Sequence, residues 1–132
     1  MRQGRVRLVV VALVLVAVLM LPSCGFKRKL VSITLIPDAA DVVGAGVNVQ
    51  FKAVGNYIHP PDSRDITDTV VWESAAPQIV TINQAGLATS TAGCGSNITI
   101  TATANSDPHD DHSGVVVGTA AVSVTQPGDV CP

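Results

Sequence analysis

The chain has 132 residues, of which 14% are charged and 3% are aromatic, and its formal net charge is −2. That length allows one domain with its own hydrophobic core. From Leu30 to the C terminus, two basic residues stand against ten acidic ones, so this part carries a charge of 2 − 10 = −8. No basic stripe is available to neutralise phosphates, and the sequence therefore argues against nucleic-acid binding.

The N terminus has the pattern of a secretory signal. Three arginines in residues 1–7 precede an uncharged apolar run from Leu8 to Leu21, which is about 14 residues long. A transmembrane helix needs about 20 apolar residues, and Pro22 would break a helix. We therefore predict a cleaved segment over residues 1–23. The alternative is an uncleaved anchor or a buried core helix.

The end of that run resembles the lipobox of bacterial lipoproteins. Leu21-Pro22-Ser23-Cys24 places an aliphatic residue three positions before a cysteine and a small residue directly before it, although Pro22 departs from the usual residue type. The resemblance implies a thioether between the Cys24 thiol and diacylglycerol that carries palmitate-type chains, then cleavage before Cys24, and anchoring to membrane lipid at the cell envelope. Because Gly25 is not Asp, the resemblance favours the outer membrane over the inner membrane.

Residues 24–29 form a short linker that contains the basic cluster Lys27-Arg28-Lys29. Each basic residue near an anionic membrane adds about 1 kcal/mol of attraction, while a solvated linker would have the same composition. Five residues separate Cys24 from the first predicted strand. At ~3.5 Å per extended residue, they would hold the domain within roughly 20 Å of the bilayer.

From Leu30 onward, short alternating runs of apolar and polar residues are separated by turn residues, which predicts an all-β domain. β-Branched residues dominate these runs, and helical periodicity is missing. Val122 and Val124 should face the core, and Gly118 should mark a bulge or bend. We expect strands near residues 31–35, 47–53, 70–72, 80–82, 98–103 and 115–125, with a hairpin turn over residues 83–86 and Leu87 beyond it.

The order of these segments resembles the bacterial immunoglobulin-like domain, group 2, over about residues 30–126. The resemblance implies an immunoglobulin-like β-sandwich of about seven strands that serves as a stalk, spacer or binding module, as in invasin- and intimin-like surface proteins. Family members often occur in tandem, whereas this sequence holds one copy. The matching stretches are SITLIP (32–37), VQFKA (49–53), RDIT (64–67), VVWES (70–74), IVTIN (79–83), AGLA (85–88), ITITA (98–102) and AVSVT (121–125).

Two cysteines remain once Cys24 is assigned to lipid. In an exported compartment an even pair usually forms a disulfide, so we expect Cys94 to bond with Cys131 and to pin the C-terminal tail, residues 127–132. The loop so closed would be about 37 residues long, worth roughly 3–4 kcal/mol in the chain-entropy model. The alternatives are two free thiols or an intermolecular bridge.

One stretch looks like a set of metal ligands: His109, Asp110, Asp111 and His112. Two imidazoles and neighbouring carboxylates suit Zn²⁺, Ni²⁺ or Cu²⁺, and the carboxylates suit Ca²⁺. The alternative is a polar hairpin loop, because the stretch lies between two predicted strands.

Residues 55–65 are predicted to form a second, longer loop that could bind a partner. Tyr57 and His59 offer stacking and hydrogen bonding, Arg64 supplies a charge, and two prolines lower the entropy cost of recognition. The alternative is an ordinary connection with Tyr57 packed on the sheet edge. Trp72 should lie in the core because the strand alternation points it inward; the alternative is a sugar-stacking ring.

No serine stands in a nucleophile motif, and the sequence predicts neither an enzyme nor catalytic residues. It predicts a membrane-anchored binding, adhesion or structural module whose partner is an envelope protein or glycan. The predicted module requires no cofactor other than the covalent lipid on Cys24. The alternative is a lipoprotein that binds a divalent metal or carbohydrate through residues 107–112 or 57–65. The oligomeric state is left open.

Overall fold

The protein is described by a computed structural model, which covers residues 3–7, 9–11, 27–110 and 112–128. Residues 3–7 and 9–11 are helical and exposed. Among the described residues, no helix is both long enough and apolar enough to span a bilayer. Cys24, Asp111 and Cys131 lie outside the described residues, as does most of the segment predicted to be cleaved. Lipidation, export and the disulfide therefore stay predictions.

The described part from residue 27 onward is built from β-strands, which confirms the all-β prediction. Ten strands lie in it, more than the seven or so expected. They are β1 (Lys29–Ile36), β2 (Ala39–Val43), β3 (Asn48–Gln50), β4 (Lys52–Ile58), β5 (Asp62–Asp65), β6 (Val71–Ser74), β7 (Val80–Ile82), β8 (Leu87–Ser90), β9 (Gly95–Asn105) and β10 (Val115–Thr125).

The strands form three sheets, with the orders β1-β4-β5, β2-β10-β9-β6 and β3-β8-β7. All strand pairs are antiparallel except β2 with β10, which is parallel. Only Phe51 separates β3 from β4, so one extended segment contributes to two sheets. The chain also leaves one sheet for another between β1 and β2, at Pro37 and Asp38.

Alternating side chains from all three sheets meet in one hydrophobic core. The largest fully buried side chains are Phe51, Val70, Val80, Ile100, Val122 and Val124, which confirms the inward positions predicted for the last two. Trp72 is 5% exposed, and its indole Nε1 donates a hydrogen bond to the Thr67 carbonyl oxygen at 2.9 Å. The predicted core position of Trp72 is therefore confirmed, and its ring is not available for sugar stacking.

Gly118 does not mark a bulge, so that part of the prediction was wrong. Gly118 pairs in register with Ala102, and the irregularity of β10 lies between Val122 and Val124. A Cβ at Gly118 would lie 2.7 Å from the carbonyl oxygen of Ile33. The glycine is therefore needed because β1 approaches β10 too closely for any side chain.

The predicted turn over residues 83–86 is confirmed. The Asn83 side-chain oxygen Oδ1 accepts hydrogen bonds from the backbone N–H groups of Ala85 and Leu87, each at 3.0 Å. Gly86 has φ +75°, a left-handed conformation that glycine adopts without steric cost. This turn joins β7 to β8 and lies against the core, since a Cβ at Gly86 would meet Phe51 and Trp72.

Candidate functional site

The segment predicted as a long binding loop is largely strand. Tyr57 belongs to β4 and pairs with Asp62 of β5 and with Leu30 of β1, so only residues 59–61 form the turn. The loop prediction was wrong because the polar stretch 62–65 forms an edge strand, where charged residues are common. Tyr57 is half-buried against the core, as the alternative reading expected.

Arg64 and Asp62 form an ion pair on this hairpin. The Arg64 Nε lies 2.6 Å from the Asp62 Oδ2, and the two side chains are 50% and 35% exposed. The Arg64 guanidinium, hydrogen-bonded to this carboxylate, holds the pKa of Asp62 below its usual value. Arg64 is thereby held in place while half of its side chain stays open to solvent. His59 stands apart, exposed in the turn with φ 62°.

A second polar group fixes the end of β5. The Asp65 Oδ1 accepts hydrogen bonds from the Thr67 hydroxyl at 2.6 Å and from the Thr67 backbone N–H at 3.0 Å. These hydrogen bonds, the hydroxyl first, lower the pKa of Asp65. The Thr67 Oγ1 also accepts from the Ala53 N–H at 3.0 Å. These hydrogen bonds connect the end of β5 to Ala53 of β4. The Thr67 carbonyl oxygen also accepts from the Trp72 indole, which links this group to the core.

This Asp65–Thr67 group was not singled out as functional from the sequence. The signal that identifies it is an Asp followed two residues later by Thr, the spacing of an Asx turn. It fixes the end of β5, whereas Arg64 itself is held by Asp62.

Between this hairpin and the four-stranded sheet lies a cleft of about 660 Å³, which we call the edge cleft. That volume is within the usual range of small-ligand sites. One wall contains Tyr57, Arg64 and Ile66, and the opposite wall contains Val71 and Val115. The edge cleft therefore combines apolar walls with one tethered guanidinium and one phenol, and Asp65 and Asn105 also line it.

The residues of the predicted metal loop mainly stabilise the turn itself. The Asp107 Oδ1 accepts from the His109 N–H at 2.9 Å, and the Asp110 Oδ1 accepts from the His112 N–H at 3.0 Å. The His112 side chain is 98% exposed, with its Nδ1 3.7 Å from the Asp110 Oδ1. Within the described residues, no three His, Cys, Asp or Glu side chains are grouped so as to hold a metal ion. Because Asp111 is not among them, metal binding stays a prediction.

A smaller cleft of about 340 Å³ brings the two predicted loops next to the basic linker. Its lining residues come from the linker, from the β4–β5 turn and from the β9–β10 connection: Lys27, Arg28, Lys29, His59, Ser106, Asp107, Asp110, Ser113 and Gly114. At this point Leu30 donates its backbone N–H to the Ser106 carbonyl, and the Ser106 hydroxyl donates to the Leu30 carbonyl, each at 2.8 Å. The linker therefore leaves the domain from a fixed position at this end.

Cys94 lies directly before β9, where the sequence placed it. Its predicted partner Cys131 is outside the described residues. Compared with known proteins, the chain matches no protein-family model and no curated relative.

Proposed function

We propose that the protein is a lipid-anchored cell-envelope module with one immunoglobulin-like domain, which acts by binding or supporting a partner rather than by catalysis. The observation that carries this proposal is the Leu21-Pro22-Ser23-Cys24 sequence followed, five residues after the cysteine, by the first strand of an all-β domain. The outer membrane is the favoured location, since Gly25 follows the cysteine.

Three features support the immunoglobulin-like assignment. Most strands are short and antiparallel, the first two belong to different sheets, and the single tryptophan is buried on β6 of the four-stranded sheet. A buried core tryptophan is typical of immunoglobulin domains. The ordered stretches between residues 30 and 126 that resemble group 2 bacterial immunoglobulin-like domains agree with this arrangement.

The anchoring proposal is tested by labelling cells that express the full chain with a palmitate analogue. We expect labelled protein in the membrane fraction for the wild type and for Ser23→Ala, which keeps a small residue before the cysteine. Cys24→Ala should be unlabelled. Equal labelling of Cys24→Ala and the wild type, or an unlabelled wild type, would contradict the proposal.

The predicted Cys94–Cys131 bond belongs to the same proposal, because it requires export to an oxidising compartment. Mass spectrometry of the unreduced protein after proteolysis should find the two peptides joined. A pair of alkylated thiols in protein taken from the envelope would contradict it.

A second candidate function is carbohydrate binding in the edge cleft. The observation that favours it is the placement of Tyr57 and the tethered Arg64 on one wall, since sugars are bound by ring stacking and charge-assisted hydrogen bonds. A glycan array probed with the full chain should give signals that Arg64→Ala and Tyr57→Ala both abolish. His59→Ala serves as the control, because His59 lines the other cleft. No signal on the array would dismiss this candidate.

Metal binding by residues 109–112 is tested separately, by calorimetry with Zn²⁺ and Ca²⁺. Heat that disappears in His109→Ala would support it, and no heat at tens of micromolar protein would remove it.

A further inference from the structure

The smaller cleft at the linker end of the domain is lined by charges of both signs, and we call it the linker cleft. Lys27, Arg28 and Lys29 of the linker line it together with Asp107 and Asp110 of the β9–β10 connection. Among the described residues, no ion pair joins these three cations to these two carboxylates. The linker cleft therefore holds opposite charges apart around a space of about 340 Å³.

Backbone contacts hold the two sides of the linker cleft in place. Leu30 and Ser106 are joined by two hydrogen bonds of 2.8 Å each, and Ser106 is only 5% exposed. Lys29, the first residue of β1, is also paired with Ile58 at the end of β4. The linker and the β9–β10 connection thus meet at a fixed point of the folded domain, and the linker cleft is part of that domain.

The cations of the linker cleft are open to a ligand. Lys27, Arg28 and Lys29 are all exposed, and none of their side chains donates a hydrogen bond to another residue of the described part of the chain. The exposed His59 of the β4–β5 turn also lines the cleft. Lysine and arginine are the usual protein donors to phosphate oxygens. These residues therefore suit a phosphate group.

The two carboxylates of the linker cleft are only half used within the domain. The Oδ1 atoms of Asp107 and Asp110 accept the backbone N–H groups of His109 and His112. Neither Oδ2 atom accepts a hydrogen bond from another residue that the structure describes. Carboxylate oxygens form charge-assisted hydrogen bonds with ammonium groups, and a primary ammonium has three N–H donors. The acidic residues therefore suit a primary ammonium.

We propose that the linker cleft binds the headgroup of a membrane phospholipid whose phosphodiester carries a primary ammonium, as phosphoethanolamine does. The phosphate lies against the basic linker, and the ammonium lies against Asp107 and Asp110. A phosphate alone would leave the two carboxylates unmatched. A phosphocholine group has a quaternary ammonium without N–H groups, so it cannot donate to them. This inference rests on the proposed lipid anchor, which brings the cleft to the headgroups.

The linker length places the linker cleft near the membrane surface. Lys27 is three residues after Cys24, so at ~3.5 Å per extended residue it lies no more than roughly 11 Å from the lipidated cysteine. The diacylglycerol expected on Cys24 has no phosphate, and the headgroup must therefore come from a neighbouring phospholipid. Because the anchor raises the effective concentration of such lipids, a weak site is sufficient to hold this end of the domain against the membrane.

Calorimetry on the full chain in a neutral maltoside detergent tests the site with soluble headgroup analogues. We expect glycerophosphoethanolamine to bind about tenfold more tightly than glycerophosphocholine or inorganic phosphate, because only the first compound combines a phosphate with N–H donors. The proposal is overturned if either of the other two compounds binds as tightly as glycerophosphoethanolamine. It is also overturned if glycerophosphoethanolamine gives no heat at millimolar concentration.

Conservative substitutions test the two sides of the site separately. Asp107→Asn and Asp110→Asn keep the Oδ1 atoms that accept backbone N–H groups, so the loop should fold while the preference for the ethanolamine compound over the choline compound disappears. Lys27→Gln combined with Arg28→Gln should weaken the binding of both compounds about tenfold. The control is Lys52→Gln, an exposed position at the opposite end of β4, which should bind like the wild type. Unchanged binding in the Asp107→Asn, Asp110→Asn double variant would overturn the assignment of the ammonium.

Vesicles test whether the ligand is a membrane lipid. The full chain is reconstituted in phosphatidylcholine vesicles or in vesicles of equal parts phosphatidylcholine and phosphatidylethanolamine. We expect slower hydrogen exchange at the backbone amides of residues 107–114 in the mixed vesicles only. The internal control is the turn over residues 44–47, which lies beside Thr125 at the other end of β10. Equal exchange of residues 107–114 in the two kinds of vesicle would contradict a lipid headgroup as the ligand.

Palmitate labelling separates this proposal from the anchoring proposal. Labelled protein that does not bind glycerophosphoethanolamine would overturn the headgroup site alone. Unlabelled protein that still binds glycerophosphoethanolamine would overturn the anchor and support the site.

Discussion

The outer faces of the β1-β4-β5 sheet and the β2-β10-β9-β6 sheet carry side chains of similar size that make different contacts. On the β1-β4-β5 sheet, the Asn56 amide donates to the Ser32 and Thr34 hydroxyls at 3.0 and 3.3 Å and accepts from the Ser63 hydroxyl at 2.8 Å. These polar side chains thus bond to one another across the three strands. The β2-β10-β9-β6 sheet exposes Val71 and Val117, but Ile36 of β1 is also 53% exposed. The two sheets therefore differ in the hydrogen bonds among their outer side chains and not in whether they expose apolar residues.

Both sheets pack against one core, and removing its tryptophan should cause the largest loss in the free energy of unfolding. Trp72→Ala loses a buried ring and the hydrogen bond to the Thr67 carbonyl, and we expect a loss of about 3–5 kcal/mol in the free energy of unfolding. Urea unfolding followed by circular dichroism will measure it. Loss of signal from one sheet only, with the other retained, would show that the two faces do not share a core.

Strands β1 and β10 approach each other closely at Gly118, and a substitution there should give the next largest loss of stability. Gly118→Ala should lower the free energy of unfolding by about 1–3 kcal/mol, because the new Cβ would meet the backbone of Ile33. Gly114→Ala is the matched control, since a Cβ there meets nothing within 4 Å. Equal melting temperatures for the two variants would contradict the close approach.

Smaller substitutions sharpen the contrast between the faces. Asn56→Ala removes three hydrogen bonds on an exposed face, and we expect a cost of about 0.5–1.5 kcal/mol. Val117→Thr should change stability by less than about 0.5 kcal/mol, because Val117 is 52% exposed. A larger loss for Val117→Thr than for Asn56→Ala in urea unfolding would contradict these assignments.

The smallest expected effect is a dependence of stability on pH at the end of β5. Hydrogen bonds from Thr67 lower the pKa of Asp65 in the folded protein, so the unfolded state binds the proton more tightly. The stabilisation is present above the unfolded pKa of about 3.9 and disappears as the pH falls through the lower folded value. Urea midpoints should converge for the wild type and Asp65→Asn as the pH is lowered from 6 to 2. A constant difference would contradict this assignment.

Regular alternation made much of the fold predictable from the sequence. Val122 and Val124 are buried because every second residue of β10 faces inward, and residues 83–86 form the expected turn because Asn83 and Gly86 suit it. The strands β2 and β5 were missed for opposite reasons. Ala39–Val43 lacks clear alternation, and Asp62–Asp65 is a polar edge strand, so neither has the pattern of a half-buried strand.

The site was harder to predict, because it depends on contacts between distant parts of the chain. Arg64 and Tyr57 were identified as candidates, but the wall opposite them consists of residues from β6 and β10, which no local pattern connects to residues 57–65. Gly118 was expected to mark an irregularity, but β10 runs in register through it. The reason for the glycine, the close approach of β1 at Ile33, is a tertiary contact that the sequence does not display.

The two hydrogen bonds between Leu30 and Ser106 have a mechanical consequence. If the tether is pulled by the membrane, the load enters β1 at Leu30 and runs along the strand. The β1–β4 bonds lie across that direction, and the load would shear many of them together instead of peeling them off one by one. If the proposed anchor were under tension, the attachment at Leu30 would therefore help the domain to keep its shape.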